Sequence, residues 1–167
     1  MIKAHEFLDE AERLAGTAPP PSEAARRRAV STAYYGLFHT LTEAGAALLT
    51  CGPDAQRAQI SRSFNHALLR TVSERVWRER FDPPWDRLFP AKPSDEIRLV
   101  ASTVIELQAA RIASDYDLSE TISLEFMSGR VLSARRAALA FAAIAGTDEA
   151  RAFLLAALLS DRWGRRG

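Results

Sequence analysis

Ser22-Glu23-Ala24-Ala25-Arg26-Arg27-Arg28-Ala29-Val30-Ser31-Thr32-Ala33-Tyr34-Tyr35-Gly36-Leu37-Phe38-His39-Thr40-Leu41-Thr42-Glu43-Ala44-Gly45-Ala46-Ala47-Leu48-Leu49 is one unbroken helical pattern. Val30, Tyr34, Leu37, Leu41, Ala44 and Leu48 recur in alternating steps of three and four, which lays them along one side of an α-helix. Ser22 followed by Glu23 marks the start, and Cys51-Gly52-Pro53-Asp54 breaks the pattern at the other end. A helix this long with such a stripe is built to pack lengthwise in a bundle.

Helical spacing extends outward in both directions. Upstream, residues 2–15 form a first helix with Ile2, Phe7, Leu8, Ala11 and Leu14 on one side. Gly16 ends it, and Pro19-Pro20-Pro21 make a stiff connector. Downstream, a weaker helical stretch at 54–61 precedes a clearer one at 64–79. Pro83-Pro84, Pro90 and Pro93 then enforce an irregular loop, which Phe81, Trp85 and Phe89 are expected to pin to the bundle.

Ser94-Asp95-Glu96 caps a helix carrying Ile97, Val100, Val104, Leu107 and Arg111 on one face. A break is expected at Ser114-Asp115-Tyr116-Asp117. Ser119 with Glu120 then restarts a helix through Leu124, Met127, Val131, Ala134, Ala138, Phe141 and Ala145, which Gly146 stops. Thr147-Asp148-Glu149 begins a last helix, 147–160, and 161–167 reads as a mobile tail. No strand signal and no internal repeat appear. The expectation is one all-α domain over 1–167, an antiparallel bundle of about five to seven helices.

The 167 residues, 47% of them hydrophobic, suffice for a real core, and a formal net charge of +1 argues against a general polyanion binder. Lys3 and Lys92 are the only lysines. Arginine's planar fork suits bidentate contact with phosphate or carboxylate, though Arg- and Ala-favouring codon usage accounts for the same bias. Cys51 stands alone, so no internal disulfide or cysteine-based metal site is expected. No apolar run approaches the roughly 18 residues of a membrane span, and the N-terminus has no secretion-signal layout, so the expected compartment is the cytoplasm.

Arg111 breaks the pattern, because it falls on the apolar face of its own helix. A guanidinium aimed at a core must be paired or must line a cleft. Asp115 lies four residues on, within helical pairing reach if the helix persists that far. Tyr116 follows, and a helix beginning at Ser119 would offer backbone N–H groups to an anion. Arginine, tyrosine and helix start together suit a phosphate. The same spacing also fits an Arg111–Asp115 pair that merely locks the turn.

Two stretches resemble the HEPN family of helical-bundle proteins. Ser31-Thr32-Ala33-Tyr34-Tyr35-Gly36-Leu37-Phe38-His39 is similar to its S-x-A-Y-Y-x-x-F-H segment, and Arg111-Ile112-Ala113-Ser114-Asp115-Tyr116-Asp117 to the R-x-x-A-D-Y-D segment of one branch. Asn65-His66 resembles the helix start that often lies between them, and the likeness covers about residues 2–145. It implies an antiparallel bundle that dimerises. Many members are metal-independent ribonucleases of toxin–antitoxin, defence or RNA-processing systems, and others pair with small nucleotidyltransferases. Active members carry R-x(4–6)-H in a cleft at the dimer interface. Arg111 takes the arginine position here, but Tyr116 stands where the histidine would be.

That departure has a chemical meaning. Acid–base work on a 2′-hydroxyl needs a group titrating near neutrality, and tyrosine's pKa near 10 suits it poorly. His66 follows Arg62 too closely for the family spacing and reads as structural or surface. His39 reads as a hydrogen-bonded packing residue, and His5 as solvated. Three histidines so dispersed give no zinc pattern, and no cofactor is implied. Arg26-Arg27-Arg28 opposes the helix dipole and either contacts phosphate or pairs with Glu23. Arg75, Arg78 and Arg80 interleave with Trp77 and Phe81, as an RNA-binding strip or as surface charge around a buried Trp77. The dense apolar surface of Phe153, Leu154, Leu155, Leu158 and Leu159 must be covered by the bundle, a dimer partner or another protein.

The leading expectation is therefore an RNA- or nucleotide-binding module, a homodimer with a possible nucleotidyltransferase partner. Its cleft would hold Arg111, Asp115, Tyr116 and Ser119, with Tyr34, Tyr35 and His39 alongside. The alternatives are a metal-independent ribonuclease using Arg111 and Tyr116 as catalytic residues, and a structural or protein-interaction bundle.

Overall fold

Apolar residues surround the Ser22-capped helix on every side, and that fixes its place at the centre. The computed structural model describes residues 3–16 and 19–163. Among these, seven α-helices follow one another: α1 Ala4–Ala15, α2 Glu23–Leu49, α3 Asp54–Ser61, α4 His66–Trp77, α5 Asp95–Tyr116, α6 Leu124–Ile144 and α7 Asp148–Leu159. Short 3-10 turns occupy Trp85–Arg87 and Ser160–Arg162, and no strand is present among the described residues. Ile2, expected on the first helix, lies outside them, as do 164–167 of the tail.

Most helix starts carry the side-chain cap their sequence announces. Ser22, Ser94, Ser123 and Thr147 each accept a backbone N–H from the first turn, and Asn65 accepts two, satisfying donors that the helix itself cannot pair. Between Ala29 and Phe38 every residue of α2 except Tyr35 is buried, as a helix enclosed on all sides requires. It packs against α1, α3, α5, α6 and α7.

The pairs α1–α2, α2–α5 and α4–α5 run antiparallel. Ala4 N at the start of α1 donates to Glu43 Oε1 near the end of α2 (3.0 Å), while Leu8 sits on Gly36. A Cβ at Gly36 would lie 2.6 Å from Leu8 Cδ2 and 3.1 Å from its backbone N, so only glycine permits this approach. The first turns of α2 face the last turn of α5, through Arg27 with Ser114 and Tyr35 with Arg111. His66 meets Gln108 and Trp77 meets Arg98, so α4 also runs against α5. One core joins these helices, from Leu8 through Leu37, Leu69 and Leu107 to Met127 and Phe153.

Three expectations are corrected. Helix α5 does not break at Ser114 but continues to Tyr116, because Arg27 and the Arg111–Asp115 pair hold its last turn. The next helix starts at Leu124, not Ser119. Asp117 Oδ1 accepts both the N–H and the hydroxyl of Ser119 in a tight turn, and buried Ile122 must be anchored before Ser123 caps α6. Trp77 is 46% exposed rather than buried, with the Arg98 guanidinium 5.5 Å from its ring centre. At the start of the tail, Ser160–Arg162 form a turn and Trp163 packs edge-on against buried Trp85, 5.3 Å between ring centres.

Two other expectations concern packing. Trp85 and Phe89 are buried and Phe81 stacks on Phe89, so the aromatics do pin the proline-rich loop. In α7, Phe153 and Leu154 are buried with α4 and α2 as neighbours, so the bundle itself covers most of that apolar surface. No helix among the described residues is long and apolar enough to cross a membrane.

Candidate functional site

The persistence of α5 through Tyr116 puts Arg111 and Asp115 one turn apart on the same face. Arg111 Nε lies 2.8 Å from Asp115 Oδ2, and Arg111 Nη2 donates to the Tyr35 hydroxyl at 2.8 Å. The other carboxylate oxygen of Asp115 accepts from the Ser31 hydroxyl. The guanidinium lies 5.4 Å from the Tyr35 ring centre and 5.8 Å from that of Tyr116. Pairing is therefore real but incomplete: the buried Nε is close to the carboxylate without directing its N–H at an acceptor. Tyr116 is 71% exposed and borders a shallow open groove with Arg70, Ile112 and Asp117.

A second group, from α4, joins this cluster. His66 is the first residue of α4, and the Asn65 cap fixes that start by accepting from Ala67 N at 2.7 Å. Its Nδ1 lies 2.6 Å from the Tyr34 hydroxyl, and its ring packs on Phe38 with centres 3.9 Å apart. Gln108 Nε2 donates to the His66 carbonyl at 3.2 Å, and Gln108 Oε1 is buried without a hydrogen-bond partner. The Tyr35 ring links the two halves, 6.2 Å from the His66 ring and in contact with Arg111.

The electrostatics follow from this packing. Burial, then the positive charge of Arg111, then His39, hold His66 below the usual imidazole range, so it is neutral at neutral pH. Burial drives the Tyr34 phenol well above its usual value, so it stays protonated. A protonated phenol both donates and accepts, so it serves either tautomer of His66. His66 Nε2 makes no hydrogen bond among the described residues.

Of the residues singled out in the sequence, Arg111, Asp115, Tyr116 and Tyr35 surround one guanidinium, and Tyr34 is tied to them through His66 and Tyr35. His39 stacks between Phe7 (4.9 Å) and Tyr35 (6.3 Å), and burial lowers its pKa. Its ring makes no hydrogen bond among the described residues, so it packs without the polar partner expected. Ser119 is not brought in, because it belongs to the Asp117 turn rather than a helix N-terminus. Among the described residues no group of three His, Cys, Asp or Glu side chains is arranged to hold a metal.

The basic runs divide in the same way. Arg26 and Arg27 both pair with Glu23, and Arg27 also donates to the carbonyls of Ser114, Asp117 and Glu120. They close the α5–α6 turn. Arg75 pairs with Asp82 at 2.7 Å and lies over Trp85, while Arg78 and Arg80 are exposed.

No family model, no curated protein and no solved structure matches the chain.

His66 is the residue that spacing missed. The one signal for it was the Asn65 cap, which makes His66 the first helical residue and so sets its ring against the neighbouring helix.

Proposed function

We propose that this chain is a HEPN-like module that binds RNA or a nucleotide through its phosphate, as a cytoplasmic homodimer in a toxin–antitoxin, defence or nucleotidyltransferase-linked system. The observation that carries the reading is the state of Arg111. Its guanidinium is held between two tyrosines, shares its Asp115 carboxylate with Ser31 and keeps 21% of its side chain exposed. A rigidly held, incompletely paired guanidinium matches the geometry and charge of a phosphate group. The exposed Tyr116 ring beside it supplies a face on which a base stacks. The HEPN resemblance of the Tyr34–His39 and Arg111–Asp117 segments supports the same reading.

The test compares wild type with Arg111→Ala for binding of labelled structured RNA in EDTA. Affinity is expected to fall by about tenfold or more, the loss of one strong phosphate contact, with circular dichroism and oligomeric state unchanged. Equal binding by the two proteins, or none by either, removes the proposal.

A further inference from the structure

We infer that two copies of this chain associate through the outer face of α6, laid antiparallel across a two-fold axis. The inference gives the proposed homodimer its contact surface and rests on that reading only for the existence of a dimer. RNA binding can fail while it stands.

Helix α6 carries a second stripe besides the one that enters the core. Glu125, Gly129, Leu132, Arg136, Leu139 and Ala143 follow in alternating steps of four and three, and all are exposed. That spacing is the seam of a helix pair. Leu132 is 50% exposed and Leu139 64%, although the opposite face of the helix is buried. The helix is tied down on both flanks, by Arg130 to Glu106 of α5 and by Arg135 to Asp9 and Glu12 of α1. The stripe between them therefore has a fixed outward direction, and no described segment of the chain covers it.

Gly129 points to the same conclusion. Glycine inside a helix is destabilising relative to alanine, and it is kept where something must approach closely. Leu8 is that neighbour for Gly36, and Phe64 for Gly45. At Gly129 a Cβ would meet nothing within 4 Å, so no contact inside the chain accounts for it. A gap in the stripe beside exposed Leu132 is a hole that a leucine from a second copy fills.

Charge fixes who the occupant is and how it lies. Glu125 and Arg136 are about three turns apart on this face, and neither has an ion-pair partner among the described residues. In an antiparallel pair centred between Arg130 and Val131, Glu125 meets the partner's Arg136, and symmetry repeats the contact. The same register sets Leu132 over the partner's Gly129. A parallel pair would instead oppose Glu125 to the partner's Glu125 and Arg136 to the partner's Arg136, which is repulsive. Polar residues within a helical seam select orientation in this way. No residue of the Arg111 cluster lies on α6, so the contact is built without it.

The experiment is sedimentation of the full-length protein over a range of concentrations, with circular dichroism to check folding. Wild type is expected to pass from monomer to dimer across the micromolar range, since one helix of 21 residues offers a contact near the lower end of stable interfaces. Leu132→Glu is expected to be monomeric throughout. Glu125→Arg and Arg136→Glu should each weaken the dimer by about tenfold or more, because each sets like charges opposite one another at both symmetric positions. Combining the two restores the pairs and should return the affinity to near that of wild type. Gly129→Gln should melt at a higher temperature as a dilute monomer yet dimerise more weakly, a combination that a purely folding role does not produce.

A wild type that stays monomeric overturns the inference. So does a dimer that survives Leu132→Glu, which would lie on another face and leave the proposed homodimer intact. A doubly swapped protein no better than either single variant removes the antiparallel register and the inference with it. Should Leu132→Glu lose its circular dichroism signal, the charge swaps at exposed Glu125 and Arg136 decide. Unchanged RNA binding in Arg111→Ala bears on the RNA reading alone.

Discussion

Arg27 and Arg111 lie along the same seam between α2 and α5, both largely withdrawn from solvent, and they are used in opposite ways. Arg27 directs its donors to Glu23 and to the carbonyls of Ser114, Asp117 and Glu120. It closes the end of α5, where a helix leaves its last carbonyls unpaired. One turn away, Arg111 donates one hydrogen bond, to Tyr35, and lies close to Asp115 with a buried Nε that points at no acceptor. A structural arginine is recognised by saturated donors and backbone partners, and a candidate site by a guanidinium with fewer partners and more of its side chain exposed. Charge and burial alone do not tell the two apart.

The contrast is sharpest in stability. Arg27→Ala should cost about 3 kcal/mol, because it strands several carbonyls and an acidic partner together. For a chain of this size that lowers the melting temperature by about 10 °C, measurable by thermal denaturation. A loss no larger than that of an ordinary surface arginine would erase the distinction. Arg111→Ala should cost less, about 1–2 kcal/mol, while weakening RNA binding, so the two variants are expected to separate fold from function. A large loss of stability in Arg111→Ala would make it a second clamp.

The smallest effect is a dependence on pH. His39 and His66 both have folded-state pKa values below that of a free histidine, first because of burial. The unfolded chain therefore binds protons more readily, and stability rises with pH in that range. The contribution is complete above about pH 6.5 and is lost as pH falls through the depressed values. Urea midpoints measured between pH 7.5 and 5.5 should decline for wild type and decline less for a double His39→Gln, His66→Gln variant. Equal slopes would mean that neither ring is held neutral by the fold.

Helix positions were largely legible because each depends on local signals. Apolar residues repeat every three or four positions, and Ser22, Ser94 and Thr147 act where their side chains reach the first turn. The α5–α6 junction was misread for a nonlocal reason. Ser119-Glu120 has the residue types of a helix start, but what fixes this segment is Arg26, Arg27 and Glu23, far away in sequence, holding Glu120 and Ile122. Spacing made the site legible along one helix, and the resemblance placed Tyr34 and Tyr35 of a second helix beside it. Arg111 with Asp115 follows from a four-residue spacing, whereas His66 reaches Tyr34 because α4 packs on α5 and brings its first residue to α2.

Gly36 gives α1 a second identity. With Leu8 seated directly on the backbone next to Tyr35, and Phe7 stacked on His39, the first helix is the outer wall of the aromatic cluster. There is no spare volume at that contact to absorb a shift. Whatever grips or displaces the amino-terminal helix, a fusion partner, a bound protein or a purification tag, therefore pushes on the rings around Arg111 as directly as a ligand would.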